Sequence, residues 1–179
     1  MPTPVRASIV LFAIALAGCV TAPRPSEYRA PAPVRAVVVN RFYAGRWLEI
    51  ARLPLRLTDG CVAGATNYEV VSATRVNVRD TCQSGTPEGP EKSLSARAEI
   101  LDPGTNAKLR VRYLSGLVTW DYWVLDYADD YSWYISADPT FDKLWIYARE
   151  VPDDRERQAL VARAEALGYD VSRLEFPAF

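Results

Sequence analysis

The chain has 179 residues, 49% hydrophobic and 11% aromatic, enough for one ordinary domain with a sizeable core plus a leader. Its 21 Lys and Arg against 22 Asp and Glu give a formal charge of −1 with no basic stripe, which excludes nucleic acid as a partner on electrostatic grounds. There is no His, which removes His-dependent general bases, Ser-His-Asp and Cys-His nucleophile systems and almost every common zinc site, so neither a cofactor nor a metal is expected.

Residues 1–18 read as a targeting segment. Arg6 and the terminal amine supply positive charge, and Ile9 to Leu16 form a compact apolar run too short to span a bilayer as a permanent helix. Ala17 and Gly18 are the small residues a signal peptidase needs. Leu16-Ala17-Gly18-Cys19 resembles the lipobox of bacterial lipoproteins, in which the Cys is lipidated and becomes the mature N-terminus. By that resemblance, Val20 rather than Asp points to the outer membrane, with the acyl chains at Cys19 as the anchor. Residues 19–36 carry Pro23, Pro25, Pro31 and Pro33 among Ala, Arg and Thr, the composition of a semi-extended tether. The folded domain is expected over 37–179.

From Val37 the pattern has period two, broken at short intervals by turn residues. The spacing predicts strands over 45–52, 61–71, 75–83, 92–101, 108–114, 119–127, 131–136 and 143–149. In Lys108 to Tyr113 the apolar residues share one face and the cations the other. Eight sequential antiparallel strands with one apolar face can close into an up-and-down β-barrel, which removes exposed edges and encloses room for side chains or one small ligand. The fold class is therefore all-β. The small residues Gly64, Ala96 and Ala98 favour a cavity over a filled interior. A single C-terminal helix follows, with Pro152 as its first residue, Asp153 and Asp154 in its first turn, an apolar stripe of Leu160, Val161, Ala164 and Leu167, and Gly168 as its stop. It is expected to pack outside the barrel.

Gly45-Arg46-Trp47, read with Leu144-Trp145-Ile146-Tyr147-Ala148-Arg149, resembles the first and third signature regions of the lipocalin family. Val39 to Arg52 is similar to the opening of bacterial lipocalins in particular, and Ala65 to Tyr68 and Gly168 to Ser172 agree. The resemblance runs from about Val37 to Phe176. It implies that Arg149 packs over Trp47 at the closed end, so that Gly45, Trp47 and Arg149 are structural. The middle signature departs from the family pattern: Ala128 stands where an Asp is usual, and an insertion is expected around Asp138–Phe141, both of which bear on turn geometry.

Cys61 opens the second strand and Cys82 closes the third, so pairing through the Ser72–Thr74 turn brings them together. In an extracytoplasmic protein this reads as a disulfide, with a free thiol as the competing reading. Parity anchored on Trp47 and Arg149 sends Tyr147, Trp145 and Lys143 inward, and Gly64, Thr66, Tyr68 and Val70 from the second strand. The cavity candidates are Tyr68, Val78, Ala96, Leu109, Val111, Tyr113, Tyr122, Val124, Trp133 and Trp145, with Val76 on the same face. Glu49 shares the face of Trp47 and is expected to be a buried acid needing a partner. The function expected is an outer-membrane-anchored carrier of lipid or another small hydrophobic ligand; by the family resemblance, fatty acids or lysophospholipids, in envelope maintenance. Family members that dimerise leave a homodimer open. A filled barrel acting through its outer face is the alternative, and an enzyme acting on a bound lipid is the less favoured one.

Overall fold

The computed structural model describes residues 30–33 and 35–179; the signal segment, Cys19 and tether residues 20–29 lie outside the described residues. Eight strands follow one another, β1 (Gly45–Arg52), β2 (Cys61–Ser72), β3 (Arg75–Ser84), β4 (Glu91–Ile100), β5 (Lys108–Tyr113), β6 (Val118–Tyr127), β7 (Trp133–Ala137) and β8 (Leu144–Ala148). Each pairs antiparallel with the next, and β8 returns to β1 to close the barrel. The register places Trp47 opposite Thr66 and Glu49 opposite Tyr147.

Two irregularities re-aim side chains. Between Glu49 and Ala51 the β1–β8 register shifts, and an extra residue in one strand reverses parity beyond it. Trp47 and Glu49 face the interior, Ile50 and Ala51 both join the outer apolar cluster, and Arg52 turns back inward to meet Glu49. A second shift, between Val124 and Asp126, leaves both Leu125 and Asp126 facing out, the latter on Arg163 of the C-terminal helix at 2.9 Å, and returns Tyr127 to the inner cluster.

Apolar residues are buried on both faces of β7 and β8, because the barrel is covered there by α2 (Asp154–Ala166). Trp145 and Tyr147 point in, while Leu144, Ile146 and Ala148 pack outward with Leu160, Ala164 and Tyr169. The helix begins two residues later than the sequence implies. Asp153 is its cap rather than a first-turn residue, accepting from the Glu156 amide at 2.8 Å while Glu156 accepts from the Asp153 amide at 3.2 Å. Pro152 stands before the cap, buried. Of the expected stripe, Leu160 and Ala164 are buried and Val161 and Leu167 half-buried. Gly168, at φ +93°, ends the helix.

A single helical turn, α1 (Val39–Phe42), stands where the sequence implies extended chain. It plugs one end of the barrel. Phe42 and Tyr43 are fully buried, and the Trp47 indole donates to the Phe42 carbonyl at 3.1 Å. β7 starts at Trp133, not at residue 131, because Tyr131 has φ +60° and its amide closes a turn on the Ala128 carbonyl at 2.9 Å. The turn forms without the usual Asp. β8 is also shorter than expected, running from Leu144 to Ala148. In the loop before it, Asp138 accepts from the amides of Asp142 and Lys143 at 3.0 Å each, and Phe141 stacks on Tyr169 at 4.2 Å.

Cys61 and Cys82 are joined in a disulfide between β2 and β3, 21 residues apart in sequence. In the chain-entropy description, closing such a loop contributes about 3 kcal/mol. Replacing both cysteines by Ser is expected to lower the unfolding free energy by about that amount and to steepen the denaturant slope, since the unfolded chain expands; an unchanged unfolding free energy would show that the bond contributes nothing to stability.

Candidate functional site

The interior divides into two halves. Towards the plugged end, Phe42, Tyr43, Trp47, Val76, Ala98, Ile100, Leu109, Val124 and Tyr127 form a filled core. Towards the other end lies a cavity of about 210 Å³ that begins around Glu49 and reaches the β1–β2 loop at Leu55, Leu57 and Thr58. Its wall is mostly aromatic and aliphatic, with Tyr68, Val78, Val111, Tyr113, Trp120, Tyr122, Tyr134, Trp145 and Tyr147. Lys92 and the Cys61–Cys82 bridge stand towards the mouth. The volume lies below the roughly 300–1,000 Å³ of drug-sized sites, so one slender ligand suits it.

Of the ten cavity candidates, six line this space: Tyr68, Val78, Val111, Tyr113, Tyr122 and Trp145. Leu109 and Val124 face inward but belong to the filled half. Ala96 sits opposite Val78 and Tyr113 on the inner face, yet it packs against the core and does not line the cavity. Ala98 is likewise core, so of the three small residues only Gly64 borders the cavity, with a Cβ there falling 3.1 Å from Glu49 Oε1. Trp133 points outward, under Arg163 of α2 at 4.8 Å, because Tyr134 is the inward residue of β7. Lys143 also leaves the interior and pairs with Asp138 at 2.8 Å.

At the plugged end the Arg149 guanidinium lies 3.5 Å from the centre of the Trp47 ring and donates to the carbonyls of Ala44 and Arg46 at 2.8 Å each. A cation so placed caps the core electrostatically as well as sterically. Gly45, at φ +69°, lets the chain turn beneath that guanidinium.

Two acids face the cavity. Glu49 is held by Arg52 at 2.5 Å, and Arg52 makes three further contacts: to the exposed Glu175 at 3.2 Å, and to the carbonyls of Thr58 and Cys61 at 3.2 and 3.1 Å. Burial pushes the Glu49 carboxyl above its ordinary value, and Arg52 partly offsets this by charge and hydrogen bond. Asp80 comes from β3, on the face of Val76 and Val78. It accepts from Thr66 Oγ1 at 2.6 Å and Tyr113 Oη at 2.8 Å, and Tyr113 meets Tyr122 Oη at 3.2 Å. Burial raises the Asp80 carboxyl too, with both hydroxyls acting to lower it. Desolvation likewise holds the hydroxyls of Tyr68, Tyr113, Tyr122, Tyr134 and Tyr147 protonated, far above their ordinary range. Asp80, Trp120, Tyr134 and Arg52 are cavity residues that the sequence pattern does not single out. Stepping by two from Val76 and Val78 reaches Asp80, and from Tyr122 reaches Trp120; no such step reaches the other two.

A barrel closed at one end and hollow, mostly apolar and narrow at the other is the build of a carrier for small hydrophobic ligands. The lipocalin-like domain family matches residues 38–178, and the chain belongs to it. A protein of Acanthamoeba polyphaga mimivirus assigned to the lipocalins is 29% identical over 140 residues, 74% of this chain and 79% of its own length. Apolipoprotein D of Oryctolagus cuniculus is 27% identical over 145 residues, 78% of this chain and 74% of its own. Among solved structures, insecticyanin of Manduca sexta superposes with a TM-score of 0.64 at 20% identity, covering 84% of this chain and 86% of that one. Members of this family are in general binding proteins rather than enzymes, and Cys61, which borders the cavity, is tied up in the disulfide.

Proposed function

We propose that this lipocalin carries lipids of the single-chain kind, fatty acids or lysophospholipids, while anchored through Cys19 to the outer membrane, in the manner of the bacterial outer-membrane lipoprotein Blc. The observation that carries the reading is the aromatic and aliphatic cavity in the open half of the barrel, whose slender volume accepts one alkyl chain. Burying that chain gains roughly 25 cal/mol per Å² of apolar surface. Lys92 at the mouth offers a carboxylate or phosphate a charge partner. The anchor is supported by Leu16-Ala17-Gly18-Cys19, which resembles a lipobox. The Ala30 amide donates to the Pro139 carbonyl at 3.2 Å, in the β7–β8 loop beside the mouth, so the described chain begins at the open end. A barrel with a filled interior, acting only through its outer face, is at odds with the hollow half.

Titration of the full chain with a long-chain fatty acid and with a lysophospholipid is expected to quench tryptophan emission saturably, since Trp120 and Trp145 line the cavity. Absence of saturable quenching by both would sink the carrier reading. The intact mass of the protein from the producing cell is expected to show loss of residues 1–18 and acyl chains at Cys19, both absent in Cys19→Ser; an unacylated Cys19 would overturn the anchor alone.

A further inference from the structure

Asp80 has no evident task in holding a fatty acid. It lies inside the cavity among tyrosines and tryptophans, where a second carboxylate would be repelled. Among the described residues it makes no ion pair, whereas the other cavity acid, Glu49, is matched by Arg52. Its two bonded donors, Thr66 and Tyr113, each occupy one lone-pair position on a different oxygen. A carboxylate offers about four such positions, so each oxygen keeps one for a further donor. Tyr113 touches it and Tyr122 touches Tyr113, while Trp120 and Trp145 line the same cavity, with ring centres 5.8 Å apart for Tyr113 and Trp120 and 5.0 Å for Tyr122 and Trp145. Aromatic faces attract a cation that has left water, and a carboxylate supplies the balancing charge.

We infer that Asp80 is the inner recognition point of the cavity and selects ligands that carry a protonated aliphatic amine into the barrel, with Asp80 and Tyr113 as its polar contacts and the surrounding rings as its walls. This rests on the carrier reading and specifies what the cavity prefers. An amine-headed amphiphile enters head first and leaves its alkyl chain towards Leu55 and Leu57. A fatty acid enters the other way, with its carboxylate left at the mouth near Lys92. The two ligand types therefore depend on different residues of one pocket.

The experiment compares dodecylamine, dodecanol and dodecanoate, each titrated against the full chain, Asp80→Asn and Lys92→Gln below the micelle concentration. Asn keeps the size and one acceptor for Thr66 or Tyr113 while removing the charge. For the unaltered protein the amine is expected to bind about 10- to 100-fold more tightly than the alcohol, the size of a charge-assisted hydrogen bond. Asp80→Asn should erase that advantage and leave dodecanol binding within about twofold, showing that the cavity itself is intact. Lys92→Gln should weaken dodecanoate alone. Amine affinity no greater than that of the alcohol, or equal losses for both on Asp80→Asn, would overturn the inference while leaving the carrier reading in place. Failure of all three ligands to bind the unaltered protein would overturn both.

Discussion

Trp47→Ala is expected to cost about 3–5 kcal/mol of stability, the range for emptying a buried aromatic site that cannot collapse. The indole is fully buried, with ring centres 4.6 Å from Tyr134 and 5.5 Å from Phe42, and it is roofed by Arg149 at 3.5 Å. Removing it opens a void bounded by rigid strands on one side and the α1 plug on the other. It also strips the Phe42 carbonyl of its indole donor and the Arg149 guanidinium of its ring. Trp47→Phe refills much of the space and restores a π face, so less than half the loss is expected. Arg149→Lys keeps the charge, but an ammonium cannot match the planar stacking on Trp47 while reaching the carbonyls of Ala44 and Arg46, and about 1 kcal/mol should go. Urea unfolding followed by far-ultraviolet circular dichroism reads all three. Trp47 does not itself line the cavity but packs on Tyr134, which does, so ligand affinity of the folded fraction should change less than stability does. A Trp47→Ala protein as stable as the parent would show that the Trp47–Arg149 contact contributes nothing. Loss of binding at unchanged stability would move the site to the plugged end.

Trp47 and Arg149 are legible in the sequence because they fall in short motifs about a hundred residues apart, and the disulfide because two strand ends joined by a tight turn must meet. The barrel follows from eight alternating segments. What parity conveys is the face of a strand, not the depth along the barrel. It places Leu109 and Val124 on the correct face but not in the correct half, since only register fixes how deep a residue sits. It sends Trp133 inward, against the structure, because β7 is apolar on both sides, one face meeting the core and the other α2, so alternation carries no sign there. The bulge after Glu49 is hidden for a similar reason: Ile50 and Ala51 are both apolar, and nothing local says that both pack outward. Once it is skipped, Arg52 reads as a surface cation and the partner of Glu49 disappears from view. α1 is invisible because Val38 and Val39 favour extended chain, and its four residues are held by the plug they form rather than by helix propensity.

That hidden partner sets the second large effect. Arg52→Ala is expected to destabilise the protein by about 3–5 kcal/mol near neutral pH, because it leaves the Glu49 carboxylate buried without a counter-charge. Glu49 is 9% exposed and Arg52 4%, so water reaches neither freely. The pH dependence has a definite sign. Burial already raises the folded Glu49 carboxyl above its unfolded value, so the folded state holds this proton more tightly, and stability falls as pH rises through the interval between the two. Arg52 supplies the two influences from a cation that oppose the rise, its charge and its hydrogen bond. Without it the folded value climbs further, the interval widens upward, and the deficit of Arg52→Ala relative to the parent should shrink on acidification from neutral pH. Adding Glu49→Gln removes the charge and should restore part of the loss at neutral pH and flatten the difference between about pH 5 and pH 7. Chemical unfolding of the two single variants and the double at both pH values separates the contributions. Should Arg52→Ala cost as much in the Glu49→Gln background, the loss would stem from the contacts to Thr58, Cys61 and Glu175, which tie the β1–β2 loop and the C-terminal segment to the barrel mouth, and not from an uncompensated acid.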